Sequence, residues 1–350
     1  MIPRTLVSLL ALGALVPAAP LPVRGLHLSV PKPAEMTRMT KFIREVLPKE
    51  GVNTLVLEIN YHFQFKSHPE VADADALSLD DARAIAIAAR ESNVKLIPLV
   101  NLLGHQSWAK TTFGLLRSHP EFDETPGLYP DNKDIYCRSY CPTHPQVHAM
   151  IFDLVDEILD AFSADTLHAG MDEVFIIGDD ACPRCKGQNK AKLFAGEVRA
   201  IHDHLAQKGR RLWFWADRLI DGETTGIGEW EASKNGTAPA ILDIPHDVVL
   251  CDWHYEAAHA TTLAFALSGF ETVSASWRNP AVALRQMDLI RLARSEASPQ
   301  VAARLLGMLH TTWMPFQDFS AAYWHDGPAS VGAQESALCF REVMQRAKQE

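Results

Sequence analysis

Eight short apolar runs of β type, each followed by a stretch of helical or loop character, constrain this chain more than any other feature. They cover residues 25–30, 54–61, 95–103, 166–174, 211–220, 248–255, 271–277 and 305–313. Between them lie segments with apolar residues at helical spacing. One is 79–92, with Ala82, Ile85, Ala86 and Ala89; another is 194–207, with Val198, Ile201 and Leu205. Ser78 before Asp80 and Asp81 suits a helix start, where the dipole favours acids. Residues 329–348 read as a closing helix. Eight such units in 350 residues predict the α/β class and a single (β/α)8 TIM barrel over residues 24–350. The other arrangement open to such a pattern is a doubly wound sheet. It would call for a Gly-rich turn after the first strand, where Val30-Pro31-Lys32-Pro33 stands instead. One connection is long, 104–143, and long loops in compact domains tend to be functional.

Hydrophobic residues make up 47% and charged residues 22%, ample for a large core. The formal net charge of −10 and the lack of a basic run exclude nucleic acid as the expected partner. Residues 1–20 read as a secretory signal: Arg4, an apolar stretch from Leu6 to Val16, then Pro17-Ala18-Ala19-Pro20. On that reading the protein is exported to a periplasmic or extracellular space; if the segment is instead a helix packed on the fold, it is cytoplasmic. No later run reaches the ~20 apolar residues of a membrane span. Cys137-x3-Cys141 and Cys182-x2-Cys185 could supply four thiolates to a structural zinc, or form disulfides.

Active sites of such barrels lie at the carboxyl ends of the strands. Those ends carry Glu58, His105, Asp172 with Glu173, Trp215 with Asp217, Trp253 with Tyr255, Trp277 and Trp313. The fourth run, Leu-His168-Ala-Gly-Met-Asp172-Glu173, closes on two adjacent acids, which are costly beside a core unless they are paired or used. Alternation along a strand puts His168, Gly170 and Asp172 on one face; Glu173 reaches the same space only if the chain turns there. Rings gathered around carboxylates suit a sugar, whose C–H faces pack on Trp while its hydroxyls pair with charges.

His168-Ala-Gly-Met-Asp172-Glu173-Val174 resembles the His-x-Gly-x-Asp-Glu motif of family 20 glycoside hydrolases, the β-N-acetylhexosaminidases. The segment 96–105 ending in Gly104-His105, and Asp172-Glu-Val-Phe-Ile-Ile-Gly178, resemble the hexosaminidase D-like branch. Trp215-Ala-Asp217, Trp253-His-Tyr255 and Thr311-Thr-Trp313 follow in order. The resemblance implies release of a terminal N-acetyl-β-hexosamine from a glycan or glycoconjugate by a substrate-assisted, retaining route that needs no cofactor and no catalytic metal. Glu173 would be the general acid and then the base. Asp172 would hold the acetamido group, whose carbonyl oxygen attacks the anomeric carbon, and Tyr255 would donate to that carbonyl. His105, His168, Glu58, Trp215, Asp217, Trp253, Trp277 and Trp313 would bind or orient the sugar.

The chain departs from better-known members in three places. Lys32 stands where they have a sugar-gripping Arg, Met314-Pro315-Phe316 follows the last Trp in place of a Glu, and Glu58-Ile-Asn-Tyr-His62 replaces a His-rich second strand. Exo action and the choice between gluco and galacto sugars stay open. Two rival functions compete with hydrolysis of this kind. A non-catalytic sugar-binding barrel would keep the tryptophans but has no need of both acids. A metal-dependent barrel hydrolase would need a richer set of strand-end ligands than the lone His27 of the first strand.

Overall fold

A computed structural model describes residues 20–348. Eight parallel strands close into a barrel in sequence order: β1 (Val23–Ser29), β2 (Thr54–Glu58), β3 (Lys95–Leu102), β4 (Thr166–Gly170), β5 (Arg211–Trp215), β6 (Val249–Trp253), β7 (Glu271–Ser276) and β8 (Leu305–His310). The signal-like segment falls almost entirely outside the described residues. No helix among those residues is long and apolar enough to cross a membrane.

Period-two alternation sorts each strand's side chains between two cores. On β2, Val56 points into the barrel with Ile97, Leu99, Val249, Val273 and Leu309. Leu55 and Leu57 point outward, into the larger core shared with the helices. The barrel closes where β1 pairs with β8, Val23 opposite Gly307. Only glycine fits there: φ is +143°, and a Cβ would lie 2.1 Å from the Val23 carbonyl oxygen.

The helices start and stop where local chemistry directs. Ser78 caps the Leu79–Glu91 helix by accepting from the Asp81 N–H, while the Asp81 carboxylate accepts from the Ser78 N–H. The closing helix spans Val331–Ala347. Two connections depart from a regular barrel. Before the Val147–Ala161 helix, the long connection after β3 holds a two-stranded hairpin (Ser107–Trp108 with Thr111–Thr112) and a short helix (Gly114–Ser118). It is pinned by a buried Arg138–Asp123 ion pair. Between β5 and β6 the expected crossover helix shrinks to Gly222–Thr225, and irregular chain covers that flank. Every strand also stops at least one residue short of its apolar run, because the end residues leave the ladder and turn over the barrel mouth.

Candidate active site

The turn that Glu173 requires is present. β4 ends at Gly170, and Gly170, Met171 and Glu173 all take positive φ (+65°, +66° and +49°). At Gly170 a Cβ would sit 2.2 Å from Asn101 Oδ1, so the close approach of β3 and β4 also demands glycine. Asn60, Leu103, His105 and Trp313 are further non-glycine residues with positive φ at strand ends. Left-handed backbone costs roughly 1–3 kcal/mol per residue, and its clustering at the barrel mouth marks a functional rim. The Gln106 amide secures the β3 turn by donating to the carbonyls of Asn101 and Gly104.

Asp172 and Glu173 therefore converge. His105 Nε2 lies 3.4 Å from Asp172 Oδ2 and 3.2 Å from Glu173 Oε2, with all three side chains largely enclosed. Burial disfavours a charged His105, but the Asp172 and Glu173 carboxylates outweigh it and hold the imidazole well above its ordinary range. Burial likewise opposes the Asp172 carboxylate, and the imidazolium overcomes it, keeping Asp172 ionised.

Beneath Glu173 lies a second buried group. Asp217 accepts from the Glu173 N–H (2.9 Å), from Trp253 Nε1 (3.2 Å) and from Arg218 Nε (2.7 Å). Arg218 in turn donates to the carbonyls of Glu229, Trp230 and Ala232. Burial pushes Asp217 up to about 6 against the pull of Arg218.

An aromatic wall faces the pair. Tyr255 OH accepts from Trp313 Nε1 (2.7 Å) and lies 3.2 Å from Thr311 Oγ1, whose own proton goes to the Ser276 carbonyl (2.8 Å). Burial, supplemented by the nearby Asp172 charge, holds the phenol above its ordinary range, so it stays a neutral donor. Trp253 and Trp277 lie 5.1 and 5.4 Å from the Tyr255 ring, and the outer face of Trp277 is covered by Arg278. On the far side, Glu58 accepts from Asn60 and Asn101 and stands 3.7 Å from His27, whose ring packs on Trp313.

Three expected substrate contacts are corrected. His168, Trp215 and Asp217 expose none of their side chains, so they support the site from inside. His168 and Trp215 belong to the strands proper and fill the barrel's interior layers, ring against ring at 4.4 Å. Burial keeps His168 neutral, its pKa lowered to about 3. The cysteine quartet is corrected too. Cys141, Cys182 and Cys185 come together, but Cys137 does not join them. Its Sγ lies 3.8 Å from the Glu173 carbonyl oxygen.

Two groups went unnoticed in the sequence. Tyr136, from the long connection, packs 5.9 Å from His105 and continues into Trp108, Trp230 and Phe175 at 5.0–5.6 Å; no periodicity marks it. Glu231, in the irregular β5–β6 segment, accepts from the Tyr255 N–H (3.0 Å) and contacts His254 Nδ1 (2.8 Å). His254 Nε2 lies 3.1 Å from Asp252. Burial opposes a charge on His254, yet Asp252 and then Glu231 raise it to about 10.

The unfolded value is near 6.5. A raised folded value contributes stability in full below about pH 6.5 and loses it as pH climbs towards 10. A His254→Gln variant is accordingly expected to be less stable than wild type by a few kcal/mol near pH 6. That gap should narrow steadily in urea titrations run up to pH 10. A gap independent of pH would show that His254 carries no proton in the fold.

Among the described residues, three sets offer metal-ligating atoms within 4.8 Å of one another: His105 with Asp172 and Glu173; Glu231 with His254 and His259; and Glu124 with Cys141, Cys182 and Cys185.

Residues 52–316 match the model of the glycosyl hydrolase family 20 catalytic domain. The chain superposes on the Flavobacterium johnsoniae chitobiase with a TM-score of 0.66 at 17% identity, covering 93% of this chain and 50% of that one. The Vibrio harveyi exo-β-N-acetylglucosaminidase, in complex with N-acetylglucosamine, gives 0.63 at 15%, covering 93% and 54%. Dispersin B gives 0.52 at 13%, covering 92% and 98%. The chain thus spans about half the length of the first two, and at these identities the likeness establishes the fold. No curated protein sequence matches it.

Proposed function

The chain belongs to glycosyl hydrolase family 20, and from that premise we propose that it hydrolyses terminal N-acetyl-β-hexosaminides with the substrate's own acetamido group as nucleophile. The observation that carries this reading is the convergence of Asp172 and Glu173 on one imidazolium opposite a neutral Tyr255 phenol. Two carboxylates from adjacent residues cannot flank a scissile bond from opposite faces, as a two-carboxylate mechanism needs. They can serve neighbouring atoms of one sugar.

In this scheme the proton that His105 holds between the two acids passes to Glu173 and from it to the leaving glycosidic oxygen. The acetamido carbonyl oxygen attacks the anomeric carbon and closes a cyclic oxazolinium ion. Asp172 accepts from the acetamido N–H and stabilises the positive charge that develops, while Tyr255 donates to the carbonyl oxygen and aims it. Glu173, now a carboxylate, takes a proton from water, which opens the ring with net retention. Asp217 and Arg218 act only through Glu173 and Trp253, by fixing their positions. Export, and placement nearest the hexosaminidase D-like branch, belong to the same proposal. The Lys32 departure has a surface explanation: its ammonium pairs with Asp75 and both are well exposed.

The test is a panel of aryl β-glycosides with and without the acetamido group, with a thiazoline analogue of the cyclic ion as inhibitor. Hydrolysis restricted to the acetamido sugars, blocked by the thiazoline, supports the scheme. Equal turnover of a plain β-glucoside would remove the acetamido nucleophile. Binding of the acetamido sugars without turnover would favour the sugar-binding barrel.

A further inference from the structure

Outside the proposed active site the densest cluster of reactive side chains is the one that the cysteine spacing only half anticipates. Cys141 Sγ lies 3.4 Å from Cys185 Sγ and 3.5 Å from Cys182 Sγ, all three buried. Glu124, with no exposed surface, completes the group. Its Oε1 accepts from the Asp179 N–H, whereas its buried Oε2 has no hydrogen-bond partner of acceptable geometry. An orphan carboxylate oxygen beside three thiols is expensive unless something positive sits between them.

We propose that Cys141, Cys182, Cys185 and Glu124 bind one zinc ion that clips together the two loops bordering the Asp172–Glu173 pair. Zinc takes about 2.3 Å bonds to sulfur, so thiolates on a tetrahedron stand roughly 3.8 Å apart. Cys141 Sγ already stands within a few tenths of an ångström of that spacing from each of the other two. Cys182-Pro-Arg-Cys185 has the two-residue interval of a zinc-binding turn, and the Cys185 N–H donates to Cys182 Sγ at 3.3 Å. Thr143 Oγ1 stands 3.3 and 3.2 Å from Cys141 and Cys185 and is placed to donate to a thiolate. Three soft thiolates with one carboxylate select zinc over magnesium or calcium. The ligand set is thus three cysteines and a glutamate, and Cys137 is excluded by position.

The clip joins the end of the long β3–β4 connection to the turn after β4. The same connection carries Tyr136 against His105 and Cys137 against the Glu173 carbonyl. Binding releases the thiol protons and involves no electron transfer.

The full chain, purified without chelator from zinc-replete medium, is expected to hold about one zinc per chain by elemental analysis. Removing it with a strong chelator should lower the melting temperature by roughly 5 °C or more. Cys182→Ser should lose the metal, and Glu124→Gln should release it to a competing chromophoric chelator at least ~tenfold more readily. Cys137→Ser should keep full stoichiometry. Should Cys182→Ser fail to fold, the wild-type stoichiometry and the Glu124→Gln release decide the matter. Wild-type protein that stays metal-free after incubation with zinc chloride overturns the proposal. So does a Cys141–Cys185 disulfide in peptide mapping, or metal loss in Cys137→Ser equal to that in Cys182→Ser. None of these readouts depends on hydrolytic activity.

Discussion

Replacing Glu173 by Gln is expected to lower kcat/KM on an aryl N-acetyl-β-hexosaminide by roughly 10³-fold, the middle of the range for losing a positioned general acid. Gln keeps the shape, so the turn at Gly170–Glu173 and the packing of Tyr136 against His105 should persist and circular dichroism should be unchanged. The loss should depend on the aglycone. A dinitrophenolate leaves with little help, whereas a methoxyphenolate needs the proton, so the defect should grow as the leaving group becomes more basic. Near-native turnover of the methoxyphenyl substrate would strike Glu173 from its role. A uniform loss across all leaving groups would mean that the carboxylate only positions its neighbours. Removing one carboxylate beside His105 also withdraws part of what holds its imidazole charged. The pH limits of residual activity should move accordingly.

Asp172→Asn carries the second large effect, a fall in kcat of about 10²- to 10³-fold, comparable to deleting one preorganised electrostatic contact to a developing charge. The positive charge of the cyclic intermediate appears only after the acetamido oxygen attacks. KM should therefore change far less than kcat. The thiazoline analogue supplies an independent readout. Its affinity should drop in step with kcat/KM, because it resembles the species that Asp172 stabilises. If the variant binds the analogue as tightly as wild type does, Asp172 is not the acetamido partner. Asp172 also supplies the largest single influence raising His105. The double variant Asp172→Asn/Glu173→Gln should therefore lose less than the sum of its parts, as expected for groups sharing one proton-holding imidazole.

Much of this was legible along the chain. The eight strands, their order and the closing helix follow from alternation and helical spacing, which depend on neighbours a few residues apart. The Asp172–Glu173 pair could be found for the same reason, since two acids ending an apolar strand violate the local pattern. Tyr255, Trp253, Trp277 and Trp313 followed from where strands end in this kind of barrel. The errors have a common origin. Strand-end aromatics and acids look alike in sequence whether they cap the last rung or sit one rung deeper. Trp215 and His168 are within the ladder and fill the interior, and Asp217 turns under Glu173 to meet Arg218.

Local pattern alone thus determined the barrel, the strand that carries the two acids and the end of the barrel where they lie. Only the tertiary structure decided how those acids face each other. The swing of Glu173 requires Gly170 against Asn101 and an Asp217 carboxylate forty-four residues downstream to receive its N–H. The imidazolium between the acids depends on an irregular turn of β3, and Tyr255 is oriented from below by a glutamate in a segment without periodicity. Burial and charge pairing act through space across loops that no local pattern orders, and the same holds for Glu124, which completes a cysteine cluster from the middle of the long connection.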